Sequence, residues 1–179
     1  YLGTDSIDKT KRTSIKNTIG IALQEGFNKW AKAGLTAFLS YEYRNFALTD
    51  TTNIPGQRII NNYKESSLSI GGELSKKQGK LLHYNILGEL AIAGEDAGQF
   101  SVEGRGDLNL RLFGDTVRLD VNAFIKNQNP VFYFRHFQSK HYWWDNNDLS
   151  KIMRTRLEGN LSLNRWGTQL RAGVENINN

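Results

Sequence analysis

Residues 100 to 113 alternate between apolar and polar side chains almost without a break. Every second residue from Phe100 to Leu112 is apolar or glycine, and the residues between them are polar or charged. Because successive side chains of a β-strand point to opposite faces, the pattern predicts one long strand with an apolar face and an ionic face. It would extend about 45 Å at roughly 3.3 Å per residue, whereas a usual strand has about 5–6 residues. This length favours lipid, rather than a protein core, against the apolar face.

The same alternation recurs along the chain and predicts eight strands. Their approximate ranges are 15–24, 32–44, 68–75, 82–92, 100–113, 117–126, 153–163 and 170–175. Short connections rich in Gly, Asn and Asp, which suit tight hairpins, occur at 28–29, 77–79, 114–116 and 166–168. The connections between them include two long loops, Thr49–Ser66 and Asn127–Ser150, and one shorter one, Glu95–Gly98. Short turns at one end and longer loops at the other are typical of a bacterial outer-membrane barrel.

The predicted fold class is therefore all-β, an antiparallel up-and-down transmembrane β-barrel of which about eight strands lie in this chain. The chain starts at Tyr1 rather than Met and ends at Asn179, inside what reads as a new strand. We expect residues 1–179 to be a single β-barrel segment, truncated at both ends and part of a larger barrel.

The alternative is a soluble barrel or sandwich with Leu and Ile inside and the charges in water. Strand length and loop asymmetry both weigh against it. The apolar stripe also contains five glycines, which would leave holes in a close-packed core but cost less against fluid lipid. They are Gly72, Gly88, Gly104, Gly106 and Gly159.

If lipid covers the apolar face, the ionic face lines the barrel interior. The predicted pore-lining residues are Glu103, Arg105, Asp107, Arg111, Arg118, Asp120, Lys126, Arg154, Arg156 and Glu158. The predicted lipid-facing residues are Leu108, Leu110, Leu112, Leu119, Val121, Leu161 and Leu163. Buried unpaired charges are costly, so the ionic rows must pair with one another or face water. A water-filled solute channel and a plugged lumen braced by salt bridges both satisfy this condition.

Aromatic side chains concentrate near the predicted strand ends, where an apolar body meets a wet boundary. Near the short turns they are Phe27, Trp30, Phe113 and Trp166, and toward the long loops they are Tyr41, Tyr43 and Phe46. Two aromatic girdles are therefore plausible, although strict alternation puts Phe113 on the polar face.

The loop Asn127–Ser150 is the best candidate for a special role. Its candidate constriction residues are Arg135, His136, Lys140, His141, Trp143 and Trp144. One interpretation is that the loop folds partly inward and narrows the pore, with basic residues that favour anions and aromatics that stack on sugar rings. The other is that the two flanking strands continue above the membrane as a hairpin with exposed aromatics.

Two stretches of the chain resemble a known family. The aromatic segment from Asn129 to Asn146, with its Trp143-Trp144-Asp145-Asn146 run, resembles the "putative porin" family of Bacteroidetes outer membranes. The ending Leu170–Asn179 is similar to a barrel strand shared by that family and by TonB-dependent receptors. The resemblance implies an outer-membrane location and a barrel longer than this chain, and it brings no catalytic residues.

Composition excludes several other classes of protein. The 179 residues contain no Cys and three His, so no thiolate nucleophile and no Cys-based or His-rich metal site is expected. The net charge of +5 is spread among interleaved acids and bases, which argues against nucleic-acid binding. Ser139, His136 and Asp145 match no hydrolase motif in their spacing. We therefore expect neither an enzyme nor a cofactor or metal.

The predicted function is passive diffusion of small hydrophilic solutes through a charged, water-filled lumen in the bacterial outer membrane. The expected partners are the lipid bilayer, such solutes and other outer-membrane subunits. Two alternatives stay open: the barrel portion of a TonB-dependent-type active transporter, and a structural barrel subunit of a larger outer-membrane complex.

Overall fold

Most of the described residues lie in β-strands. The structure, a computed structural model, describes residues 9–27, 32–50, 59–112, 115–139 and 142–179. The strands are β1 (Lys11–Leu23), β2 (Gly34–Asp50), β3 (Ile59–Lys76), β4 (Leu82–Gly94), β5 (Phe100–Leu112), β6 (Asp115–Gln128), β7 (His136–Gln138), β8 (Trp143–Asp145), β9 (Ile152–Leu163) and β10 (Thr168–Asn178). One short helix, α1 (Phe132–Arg135), precedes β7, and a 3₁₀ turn (Asn164–Trp166) precedes β10. No described helix has the length and apolar character needed to cross a membrane.

Eight strands form one antiparallel sheet in which neighbours in space are mostly neighbours in sequence. The order is β1-β2-β3-β4-β5-β6-β9-β10, and β7 pairs only with β8 in a separate two-stranded ribbon. The predicted all-β, antiparallel, up-and-down architecture is confirmed. Among the described residues the sheet stays open between β1 and β10, as expected for a sector of a barrel wall.

The prediction of a loop at Thr49–Ser66 is wrong for those of its residues that the structure describes. β2 continues to Asp50 and β3 already begins at Ile59, in continuous antiparallel register. The alternation reverses here, because Phe46 and Tyr63, which pair across the two strands, lie on the face that is polar elsewhere. Because the apolar and polar positions exchange faces here, a search for one continuous alternation does not detect the strand, although the backbone remains extended.

The apolar face of the sheet has no protein layer over it in the described part of the chain. Ile19, Ile86 and Leu157 on this face are 79 %, 43 % and 51 % exposed. The buried apolar residues among those described are Phe46, Leu48, Ala91 and Phe132. The soluble alternative, with Leu and Ile packed inside, is therefore not what the structure shows.

The sheet curls toward its polar face. Lys16 on β1 and Glu89 on β4 approach to 3.4 Å, although three strand intervals separate them. These intervals would cover about 14 Å in a flat sheet, at about 4.8 Å per strand. Side chains converge on a concave face, so this approach favours a sheet whose polar face is concave.

Phe38 on the polar side of β2 lies between two glycines of the neighbouring strands. A Cβ on Gly71 would lie 2.2 Å from Cζ of Phe38 and 2.7 Å from the carbonyl oxygen of Gly88. On the other side, a Cβ on Gly20 would lie 3.2 Å from Cβ of Phe38. Glycine at position 71 therefore makes room for the aromatic ring.

We expect Gly71→Ala to destabilise the protein by about 1–3 kcal/mol, because the added methyl group overpacks the contact with Phe38. Gly88→Ala is the matched control, since a Cβ there meets nothing within 4 Å. Urea unfolding of both variants in lipid vesicles measures the difference. Equal unfolding midpoints for the two variants would refute the role assigned to Gly71.

Candidate functional site

All ten residues predicted to line a pore lie on the polar face of the sheet. They are Glu103, Arg105, Asp107 and Arg111 on β5, Arg118, Asp120 and Lys126 on β6, and Arg154, Arg156 and Glu158 on β9. Because β6 pairs with both β5 and β9, the three strands bring these side chains into adjacent rows. Their role as a pore lining remains a prediction.

Eight of these ten residues form ion pairs on that face. Nζ of Lys126 lies 2.6 Å from a carboxylate oxygen of Glu103 on the next strand. Glu158 binds Arg156 on its own strand and Arg171 on β10, each at 2.5 Å. The remaining pairs are His83–Asp107 at 2.8 Å, Arg118–Asp120 at 2.9 Å and Arg154–Glu175 at 2.5 Å. Most of the charge on the polar face is therefore compensated locally.

Arg105 and Arg111 differ from the other eight residues. Both side chains are exposed, and no ion pair joins either of them to any residue that the structure describes. Arg105 lines two clefts of about 460 and 410 Å³. Arg105 therefore puts an uncompensated positive charge near the middle of the polar face.

Six of the seven residues predicted to contact lipid lie on the opposite face and are partly exposed. They are Leu108 and Leu110 on β5, Leu119 and Val121 on β6, and Leu161 and Leu163 on β9. The side chain of the seventh, Leu112, lies outside the described part. Phe27 and Trp166, at the short-turn end, are 73 % and 75 % exposed, whereas Trp30 and Phe113 fall outside the described residues.

The segment between β6 and β9, which we call the inward segment, folds back over the polar face. Its helix α1 places the Phe132 ring on the Phe46 ring of β2, with centroids 3.8 Å apart and planes inclined by 8°. Tyr133 packs edge-on against Phe46 at 5.7 Å, and Tyr63 of β3 contacts Phe132 at 5.8 Å. Phe46 is only 3 % exposed. The prediction that Phe46 belongs to an aromatic girdle is therefore wrong, because its side chain points inward.

A buried charge network holds the same segment. Arg135 at the end of α1 lies 2.7 Å from Glu65 of β3, and Arg44 of β2 lies 3.2 Å from the same carboxylate. Arg44 also reaches Asp96, at 2.7 Å, in the turn between β4 and β5. Glu65 is 7 % exposed. We call Arg44, Glu65, Asp96 and Arg135 the anchor network.

Asp96 keeps its charge in this network. Burial alone would raise the pKa of its carboxyl, but the hydrogen bond and the positive charge of Arg44 outweigh burial, so the pKa is lowered. A lowered pKa in the folded state means that the stabilisation is complete above the ordinary Asp pKa and is lost only as the pH falls below it. Asp96 therefore stays charged at neutral and mildly acidic pH.

The β7–β8 ribbon completes the inward segment. Gln138 accepts a hydrogen bond from the Tyr63 hydroxyl at 2.9 Å, which ties the ribbon to β3. On the other side of the ribbon, Phe137 stacks on Trp144 with centroids 4.6 Å apart, and Trp144 donates to the carbonyl of Tyr133.

The other candidate constriction residues have different surroundings. His136 lies 3.6 Å from Asp145, and Trp143 is 74 % exposed. Lys140 and His141 lie outside the described residues. The Ser139 hydroxyl donates to the carbonyl oxygen of Tyr142 at 3.1 Å and accepts from its N–H at 3.0 Å, so it closes the ribbon turn.

The residues that seat the inward segment were missed by sequence reasoning. Tyr63 and Glu65 fell within a predicted loop, and Arg44 and Asp96 received no role. The one available signal was the reversal of the alternation, where Phe46 and Leu48 replace polar residues on the inner face.

A family model described as "Putative porin" matches residues 2–179 of the chain. No curated protein matches the chain.

Proposed function

The chain belongs to the putative porin family, and from this premise we propose that it forms a porin-like channel for passive diffusion of small hydrophilic solutes across the outer membrane. The observation that carries the proposal is the contrast between the two faces of one curved sheet. The apolar face is uncovered, with Ile19 79 % exposed, whereas the concave face carries a network of ion pairs. Lipid outside and water inside satisfy both faces.

The ion pairs on the concave face support an aqueous lumen rather than a dry one. The side chains of Lys126 and Glu103 remain 28 % and 36 % exposed although they are paired. Charged pairs taken fully out of water often lose more in desolvation than they gain in attraction. Partial exposure to lumenal water avoids most of this cost.

The pairing also implies weak selection between ions. Arg135, which the sequence associated with attraction of anions, is neutralised by Glu65 at 2.7 Å. The unpaired Arg105 is exposed on the same face and leaves a slight preference for anions. We propose that size, set by the inward segment against β2 and β3, limits passage more than charge does.

Further strands complete the wall in this proposal. β1 and β10 are the edges of the sheet, and their apolar side chains, such as Ile21 and Val174, are exposed at 76 % and 66 %. An open strand edge at membrane depth would leave backbone N–H and C=O groups unsatisfied. More strands of the same protein, or those of another outer-membrane subunit, would pair with these edges.

Liposome swelling tests the proposal. We expect liposomes that contain the protein to swell in isotonic solutions of small sugars, at rates that fall as the sugar becomes larger, because the inward segment sets a size limit. Protein-free liposomes of the same lipid are the control. Swelling no faster than this control for every sugar would reject passive diffusion and leave a sealed barrel with an active or structural role.

A further inference from the structure

A polar cavity of about 200 Å³ lies on the concave face beside the anchor network. It lies between the inner rows of β1 to β5 and the turn that carries Asp96. Two of its hydroxyl-bearing side chains, Ser40 and Ser67, are only 2 % and 5 % exposed. The cavity is thus partly enclosed by the wall and partly open.

The charged groups around the cavity are already paired with one another. Lys16 lies 3.4 Å from Glu89, and Arg44 lies 2.7 Å from Asp96. Glu42 lies 4.0 Å from Arg12 and also accepts a hydrogen bond of 2.7 Å from Ser14. A free anion entering the cavity would meet three carboxylates, and a free cation would meet an ammonium and a guanidinium group. Neither ion finds an uncompensated partner.

Uncharged polar groups in the same wall remain available. Ser69, Ser101 and Gln128 line the cavity and make no side-chain hydrogen bond to another described residue. A hydroxyl both donates and accepts a hydrogen bond, and an amide side chain offers both functions as well. The cavity has room for several water molecules, since one needs about 10–15 Å³ of such volume.

We infer that this cavity is a binding subsite for a neutral polyhydroxylated solute of the size of one sugar ring. The inference rests on the proposed function, since the solute reaches the cavity through the lumen. Hydroxyl groups of the solute take up the free donors and acceptors of Ser69, Ser101 and Gln128. The solute hydroxyl groups also form hydrogen bonds with atoms of the paired charged side chains and leave the ion pairs intact. Hydrogen bonds to charged groups are stronger than those between neutral groups.

Equilibrium binding in detergent tests the subsite without requiring transport. Saturation-transfer NMR on the whole protein would compare glucose with glucuronate and glucosamine, which have the same ring and carry a negative or a positive charge. The test variant is Ser69→Leu, which fills the cavity. The control variant is Ser162→Leu, on the same face of the sheet but outside the cavity wall.

We expect glucose to bind the wild type and Ser162→Leu alike, and Ser69→Leu about tenfold more weakly or less still. Binding of the charged sugars as tight as that of glucose, or equal glucose binding by both variants, would overturn the subsite. Liposome swelling without any glucose binding would also overturn it and leave the proposed function intact. Glucose binding without swelling would support the cavity and count against the channel.

Discussion

Val121→Arg is expected to prevent stable insertion of the protein into a bilayer. Val121 lies in the middle of the apolar row of β6 and pairs with Gly106 on one side and Gly159 on the other. A side chain there is predicted to meet lipid at the centre of the wall. Arginine at the bilayer midplane of a membrane barrel costs about 2–4 kcal/mol, and the two glycine neighbours offer no polar partner. The variant should be lost from the membrane fraction and remain sensitive to protease.

Asn122→Arg is the matched control for this experiment. It introduces the same side chain one residue later, on the concave face, where Asn122 pairs with Arg105 and Glu158. We expect it to insert and fold like the wild type, because position 122 is exposed on the concave face and water can solvate the charge. If both variants inserted equally well, or if only Asn122→Arg failed, the assignment of the two faces would be wrong.

Release of the inward segment is expected to raise single-channel conductance several-fold. The segment is held by the Arg135–Glu65 pair at 2.7 Å and by the Phe132 ring on Phe46. A hydrogen bond to a charged group contributes about 1.5–3 kcal/mol, and each 1.4 kcal/mol is a tenfold change in an equilibrium. Glu65→Ala combined with Phe46→Ala removes both contacts and should shift the segment away from the wall.

Planar-bilayer recordings would compare this double variant with two others. Deletion of residues 132–142 sets the upper limit of the effect. Glu103→Ala breaks the ion pair with Lys126 on the wall without touching the segment, and should leave the conductance nearly unchanged. Unchanged conductance in both the double variant and the deletion would show that the segment does not narrow the channel. Because the pKa of Asp96 is lowered, the Arg44–Asp96 contact should contribute no step in conductance between neutral and mildly acidic pH.

The strands and their two faces were predictable because alternation is a local property. The strands of residues 82–94 and 100–112 were found within two residues of their ends from period-two patterning alone. The same pattern placed Glu103 and Arg156 on one side and Leu119 and Leu161 on the other. Backbone geometry imposes this alternation wherever a strand forms, whatever the strand packs against.

The contacts that hold the inward segment against β2 and β3 could not be predicted from the sequence, and the reason is physical. Phe46 and Phe132 come into contact from positions far apart in the chain, and Arg135 reaches Glu65 across 70 residues. None of these four residues lies in a local sequence pattern that indicates its partner. The reversal around Phe46 and Tyr63 becomes interpretable only when the segment that covers it is in place.

The sequence by itself determined that this protein is a wall of long antiparallel strands with an apolar side and an ionic side. Only the tertiary structure decided which charges neutralise one another, as Lys16 and Glu89 do across three strand intervals. It also decided that the loop after β6 turns onto the concave face. Local periodicity sets the direction of each side chain, whereas curvature and long-range contacts set the partner that it meets.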